Sequence, residues 1–205
     1  MGRRTRQHAN PLSLRHLHTG ATRLDLPADR PVEVELGCAD AEFLFARCAR
    51  EPRRSYVGVE IRRDLVDQVN RRAQALGLAQ LRAVYANLSY DLERLFAPGQ
   101  IQLCHINFPD PCFKRSQHKR RFFTPELAQS LHQVLAPGGV LAFQSDVFDI
   151  ALQSLAILEE QAPRFHNELG PWTFARSHPY GARSRRERRC EERQTRIWRF
   201  RFRRA

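Results

Sequence analysis

Lysine is nearly missing from this chain: Lys114 and Lys119 are the only two, so 32 of the 34 basic residues are arginine. A codon preference for arginine accounts for much of that choice, but not for the sign of the charge, since 34 basic against 22 acidic residues leaves +12. Arginine forks onto phosphate oxygens and stacks on bases, which points to an anionic partner. No C-x-x-C pair occurs among Cys38, Cys48, Cys104, Cys112 and Cys190. An odd set without paired spacing encodes neither a disulfide framework nor a zinc ribbon, and fits a reducing, cytoplasmic setting. The histidines show no metal-ligand spacing beyond His16-x-His18, so no metal is expected. No apolar run approaches the roughly 18 residues of a spanning helix, and Met1-Gly2-Arg3-Arg4 leads into no apolar signal core, so no membrane partner is expected. Neither G-x-G-x-x-G nor a terminal Gly-Lys-Ser/Thr is present, which leaves ATP or GTP hydrolysis without support.

What is present reads as one domain, since 205 residues stand against a prior of roughly 150 per domain and need no staples to bury a core. Residues 1–30 are polar and arginine-bearing, punctuated by Pro11 and Pro27, and form a basic arm; residues 31–205 form the domain, with an arginine-rich C-terminal segment. Val32, Val34 and Leu36 begin a strand ending at Gly37, with Asp40 at a helix N-cap position before Phe43 and Leu44. Residues 56–61 form a second strand, followed by Leu65, Val66, Val69, Ala73 and Leu76 on one helix face, stopped by Gly77. Further strands fall at 81–85, 101–108 and 140–143, the last after the Pro137-Gly138-Gly139 turn, and Leu127, Leu131, Val134 and Leu135 mark a helix between the last two. Thr195 to Phe202 alternates as an edge or terminal strand does, and Arg183 to Arg189 is the nearest approach to low complexity. Strands alternating with helices give an α/β fold, a doubly wound and mostly parallel sheet with helices on both faces, whose ligands bind beyond the strand carboxyl ends.

Glu35-Leu36-Gly37 closing the first strand and Glu60 closing the second have the layout of a nucleoside site. Gly37 lets the backbone approach a ligand, and Glu60 can accept both ribose hydroxyls, although an acidic residue ending a strand can equally be merely solvated. With no phosphate cradle, a methyl-donor nucleoside fits better than a nucleotide. Asp110 lies between Pro109 and Pro111, which restrict its backbone, and five of the eight residues from Lys114 to Arg121 are basic. A solvated turn and a solvated basic surface would explain each feature separately but not their adjacency; together they set a fixed carboxylate beside a phosphate-sized target.

Arg6-Gln7-His8-Ala9-Asn10-Pro11-Leu12, Glu35-Leu36-Gly37, Gly58-Val59-Glu60, Asn107-Phe108-Pro109-Asp110-Pro111 with its basic tail, Ser145-Asp146, Ser184-Arg185-Arg186-Glu187 and Ile197-Trp198-Arg199 form one constellation. In these residues, and over nearly its whole length, the chain resembles the bacterial tRNA (guanine-N7)-methyltransferases, which are class I methyltransferases dependent on S-adenosyl-L-methionine (AdoMet), with a Rossmann-like fold. The resemblance implies that Glu35, Gly37, Glu60 and Asn87 bind AdoMet and that Asp110 is the active-site carboxylate. It further implies that Lys114, Asp146, Ser184 and Glu187 contact the target guanosine or its surroundings, with Arg115, Lys119, Arg120 and Arg121 on the RNA. The chain departs from the family in Gly37-Cys38-Ala39-Asp40-Ala41, which keeps one of the usual glycines, in Asn87 for an acidic residue, in Cys112 for an aromatic and in Ser184 for threonine.

The implied activity is methylation of guanosine N7 in the tRNA variable loop, position 46 in tRNA numbering, by a monomer or small homo-oligomer. Guanine N7 carries a free lone pair at neutral pH, so Asp110 is not an obligatory general base; it would orient the guanine and stabilise charge developing on the ring. Two rivals differ in class: a non-catalytic RNA-binding module of the same fold, which AdoMet binding would exclude, and a methyltransferase acting on another RNA.

Overall fold

The structure, a computed structural model, describes residues 19–110 and 122–205. The arm residues 1–18 and the basic run with Lys114, Arg115, Lys119, Arg120 and Arg121 lie outside the described residues. The elements are β1 (Val32–Leu36), α1 (Glu42–Arg50), β2 (Ser55–Glu60), α2 (Arg63–Ala75), β3 (Leu81–Tyr85), α3 (Leu92–Leu95), β4 (Ile101–Asn107), α4 (Pro125–Val134), β5 (Leu135–Ser145), α5 (Phe148–Glu159), β6 (Phe165–Asn167), α6 (Arg185–Glu192) and β7 (Trp198–Arg204). They build a seven-stranded sheet in the order β3-β2-β1-β4-β5-β7-β6. Strands β1 to β5 are parallel, and β7 enters antiparallel between β5 and β6. The order reverses between β1 and β4, and a crevice at the strand carboxyl ends there is where such sheets bind ligands. None of the described helices is long and apolar enough to cross a membrane.

Local chemistry explains most boundaries. Gly77 (φ +66°) ends α2 in a Schellman motif, its N–H donating to Gln74 O at 3.1 Å and that of Leu78 to Ala73 O at 2.9 Å. Thr124 caps α4, accepting from Leu127 N at 3.2 Å, with Pro125 at the first helical position, a cap worth about 1 kcal/mol. Asp40 is not the N-cap of α1; Ala41 holds that position, and the bond from Glu42 N to the Asp40 carboxylate is long, at 3.4 Å. The fifth strand begins earlier than the Pro-Gly-Gly turn implies, because Leu135 already pairs with Ile101 and the turn sits inside the strand as a register shift. The arginine-rich stretch near 183–189 is no solvated tail: Ser184 caps α6, accepting from Glu187 N at 3.2 Å. α5 and the three-residue β6 carry no signal that the periodicity reading registered, and β6 makes β7 the second strand from the edge.

The two faces of the sheet differ. Val32, Val34, Leu36, Val57, Val59, Ile106, Phe143 and Phe200 pack on α3, α4 and α5 in one apolar cluster, and α1 and α2 cover the β2–β3 end of the other face through Leu44, Phe45, Tyr56 and Val69. From β1 to β7 that second face is polar: Glu33, Glu35, His105, Asn107, Gln144 and Arg199 stand at every second position and are covered by the segment around Tyr180 and by α6. Of the expected arm, Ala21, Leu24 and Leu26 pack against the apolar cluster, with Leu24 N donating to Leu95 O at 2.9 Å.

Candidate functional site

At the carboxyl end of β1 the chain turns through three left-handed residues, Gly37 (φ +77°), Ala39 (φ +50°) and Ala41 (φ +54°). The two alanines therefore adopt the backbone that glycine would hold freely, at about 1–2 kcal/mol each. β2 holds the turn in place. Val59 O accepts from Gly37 N at 2.8 Å and Cys38 N at 3.2 Å, and Glu60 Oε2 accepts from Ala39 N at 2.9 Å. Gly58 is what admits this contact, since a Cβ there would lie 2.5 Å from Cys38 Sγ.

Two expected cofactor-binding side chains, Glu60 and Glu35, lie around this turn, and a third, Asn87, follows the neighbouring β3. Glu60 is buried and accepts from Arg62, with its Oε1 on the Arg62 backbone N at 2.9 Å and Nε at 2.8 Å and its Oε2 on Nη2 at 2.9 Å. The carboxylate thus presents both oxygens to a bidentate donor, the geometry a ribose diol would use. Glu35 is buried as well. Its Oε1 accepts from Asn107 Nδ2 at 2.7 Å, while Oε2 has no hydrogen-bond partner among the described residues. Burial, and then the nearby charges of Asp40, Glu33 and Glu60, push its carboxyl up to about 8 against the opposing Asn107 bond. Asn87 is buried beyond β3, accepting from Ser89 N at 3.1 Å, while its backbone N donates to Asp91 Oδ2 at 2.8 Å.

The expected substrate side lies at the ends of β4 and β5. Phe108 ends β4 at φ +53°, directly before Pro109, with its N–H on Gln144 O at 2.8 Å. A bulky residue in this region is a genuine outlier, and the strain turns the chain so that Asp110 stands exposed one strand from β5. Asp146 follows β5 and accepts from Arg186 Nε at 3.1 Å. Ser184 serves as a helix cap. Glu187, three residues on, turns inward: it is 1% exposed, its Oε1 on His178 Nε2 and Arg199 Nη2 at 2.9 Å each and its Oε2 on Gln144 Nε2 at 3.1 Å. Burial alone would raise its carboxyl, but His178, Arg199 and Gln144 hold it at about 2. The solvent side of α6 is joined to the cofactor turn, Arg185 reaching Asp40 at 2.8 Å and Arg188 pairing with Glu42.

Asp110, Asp146, Glu35, Gly37, Glu60 and Asn87 thus all sit at strand carboxyl ends, whereas Glu187 lies beneath its helix. Not anticipated were Gln144, His178 and the cluster of Glu33, Arg47 and His105. Arg47 grips Glu33 with Nε at 2.6 Å and Nη2 at 2.9 Å, and His105 Nε2 lies 2.9 Å from Glu33 Oε1. Burial lowers the His105 pKa, so the ring is neutral and donates Nε2–H, leaving Arg47 to supply the charge. A sequence signal exists for Glu33, His105 and Gln144, polar residues at alternate positions of strands that are otherwise apolar, but not for Arg47 on α1 or His178 in a loop.

Similarity to known proteins agrees with this geometry. Residues 29–200 match a family model described as a putative methyltransferase. A Synechococcus sp. protein named tRNA (guanine-N(7)-)-methyltransferase is 32% identical over 204 residues, 98% of this chain and 84% of the relative. A Synechocystis sp. protein of the same name is 33% identical over 203 residues, 96% of this chain and 95% of the relative. Among solved structures, a SAM-dependent methyltransferase from Aquifex aeolicus superposes with a TM-score of 0.58 at 8% identity, covering 87% of this chain and 85% of its own. An rRNA methylase from Streptococcus thermophilus gives 0.55 at 13% identity, with 86% and 88% covered. At these identities the structures speak for the fold alone, which is that of the class I methyltransferases.

Proposed function

Because this chain belongs to the tRNA (guanine-N7)-methyltransferase family, we propose that it transfers a methyl group from AdoMet to N7 of a tRNA guanosine, at position 46 of the variable loop. The observation that carries the reading is the unpartnered buried oxygen of Glu35 beside the bidentate-ready Glu60. A nucleoside with a cationic amino acid tail matches both: Glu60 suits the ribose diol, Glu35 Oε2 the cationic tail, and the Gly37–Ala41 turn the close approach. When bound, AdoMet supplies an electrophilic methyl on a sulfonium.

The remaining work falls to the chain. Asp110, held by a strained Phe108 and two prolines, orients the guanine through its N–H donors and faces a ring that gains positive charge during transfer. No proton has to leave N7 beforehand, so Asp110 acts as an electrostatic and positioning group. Lys114, Arg115, Lys119, Arg120 and Arg121, outside the described residues, continue from Asp110 and supply phosphate contacts. Asp146 follows β5 at the same sheet edge, with Arg186 of α6 bonded to it.

Incubation with unmodified tRNA and labelled AdoMet, followed by mapping of the product, tests the reading. The expected product is 7-methylguanosine at position 46, with Asp110→Asn about 10²-fold slower while AdoMet and tRNA affinities stay within a few fold. A protein that does not bind AdoMet is the non-catalytic RNA module; one that binds AdoMet but leaves tRNA unmodified acts on another RNA.

A further inference from the structure

Three side chains that are direct register partners across β4, β5 and β7 connect a partly buried cation, Arg199, to the cofactor carboxyl. Asn107 lies opposite Gln144, and Gln144 opposite Arg199. Arg199 Nε donates to Gln144 Oε1 at 3.1 Å, Gln144 Nε2 to Asn107 Oδ1 at 2.9 Å, and Asn107 Nδ2 to Glu35 Oε1 at 2.7 Å. The direction of every bond is forced. A guanidinium has no acceptor, so Gln144 must turn its oxygen toward Arg199. Its NH₂ is then left for Asn107 Oδ1 and for Glu187 Oε2, both of which accept. Asn107, having spent its oxygen, can only donate to Glu35.

We propose that Arg199, Gln144 and Asn107 form a one-way hydrogen-bonded relay that holds the Glu35 carboxyl by one oxygen and keeps the other for a cationic ligand, so that Gln144 and Arg199 are positioning residues for the cofactor. The proposal rests on the reading of Glu35 as an AdoMet ligand. Glu187 braces the upstream end by binding both Gln144 and Arg199, which places its contribution inside the protein. The relay is closely packed: the gap beside it, bordered by Asn107, Gln144, His178, Tyr180 and Arg199, measures about 10 Å³, room for one water at most. In such surroundings each bond polarises the next. Asn107 is also the group that opposes the burial of Glu35 and the charges facing it, Glu33 on β1, Asp40 in the turn and Glu60 on β2. The Cys38 and Cys104 thiols nearby stay protonated through burial. Releasing the relay lets the Asn107 amide rotate and weakens the anionic form of Glu35 that a cation requires.

The test compares Gln144→Leu, Arg199→Gln and Arg199→Lys with the wild-type protein. Lysine again offers donors and no acceptor, so it preserves the direction of the relay, whereas glutamine does not. AdoMet binding is measured by calorimetry from pH 6 to 10, and the Glu35 carboxyl is titrated by NMR in ¹³C-glutamate-labelled protein without AdoMet, assigned with Glu35→Gln. Gln144→Leu and Arg199→Gln should weaken AdoMet by about tenfold and move the carboxyl midpoint up by about one pH unit, with Arg199→Lys close to wild type. An unmoved midpoint in both disruptive variants, or Arg199→Lys as impaired as Arg199→Gln, overturns the relay. If Gln144→Leu does not fold, the two Arg199 variants decide alone. Wild-type protein that ignores AdoMet would sink the functional reading, and the ligand-free titration would still decide the relay.

Discussion

Glu33 and Glu35 stand two residues apart on β1, on the same face of the sheet and both buried, yet their surroundings treat them in opposite ways. Burial would raise both. At Glu33 the bonds from His105 and Arg47 outweigh it and hold the carboxyl at about 2; at Glu35 the single bond from a neutral amide does not, and the carboxyl is pushed up to about 8. The difference is one of position along the strand. Glu33 lies mid-strand beneath α1, where Arg47 can close both oxygens, and Glu35 lies at the carboxyl end, where the chain leaves an oxygen unmet. Glu33, with both oxygens filled by Arg47, is structure; Glu35, with one acceptor left over, is a site for a cation.

The comparison breaks most visibly through Glu33. Removing its charge leaves the buried Arg47 guanidinium with Tyr180 O and the half-exposed Glu51 as its remaining partners, so Glu33→Gln should cost about 3 kcal/mol in urea unfolding. A loss below about 1 kcal/mol would mean that the cluster is not what holds α1 to the sheet. Glu35→Gln should act on binding instead, weakening AdoMet by about 10- to 100-fold, the worth of a charge-assisted bond. Its melting temperature at pH 8 should equal or exceed that of the wild-type protein.

The same pair predicts two limbs in stability against pH. Glu33 and Glu187, both depressed to about 2, contribute stability that is present above the ordinary carboxyl value of 4.5 and lost as pH falls through about 2. Glu35 is raised, so its contribution is present below 4.5 and lost as pH rises through about 8. Melts followed by circular dichroism should show a decline between about pH 4.5 and 8 no steeper than about 1.4 kcal/mol per pH unit from this one group, and Glu35→Gln should flatten that decline alone. The smallest effect is expected at Arg62, whose partly exposed pair with Glu60 competes with a ribose diol. Arg62→Ala should tighten AdoMet by no more than about fivefold, within the worth of such a pair; weaker binding would make Arg62 part of the site rather than its competitor.

Much of this molecule was legible before its fold was known. β1 to β4, α1, α2 and α4 follow from apolar spacing, and Glu35, Glu60 and Asp110 follow from their places at strand ends. Less legible were elements whose pattern local chemistry hides. α5 is apolar on most sides, β6 is three residues long, and α6 is so rich in arginine that its helix face is carried only by buried Glu187 and Cys190. The Ser184-x-x-Glu187 spacing reads as a capping box, and Ser184 does cap; Glu187 instead points into a pocket of donors that no local pattern announces. Ala39 and Ala41 show the converse, since only the folded turn reveals alanine in the glycine backbone.

Local residue chemistry by itself determined the alternation of strands and helices, the acidic residues closing β1 and β2, and the proline-fixed Asp110, because each depends on propensities and spacings within about ten residues. The tertiary structure decided which carboxylates are filled and which is left open. That depends on Asn107, Gln144, Glu187 and Arg199, residues 72 to 164 positions along the chain from Glu35, arriving at one face of one sheet. Hydrogen-bond saturation and burial are set by neighbours in space, and only closure of the sheet brings those neighbours together.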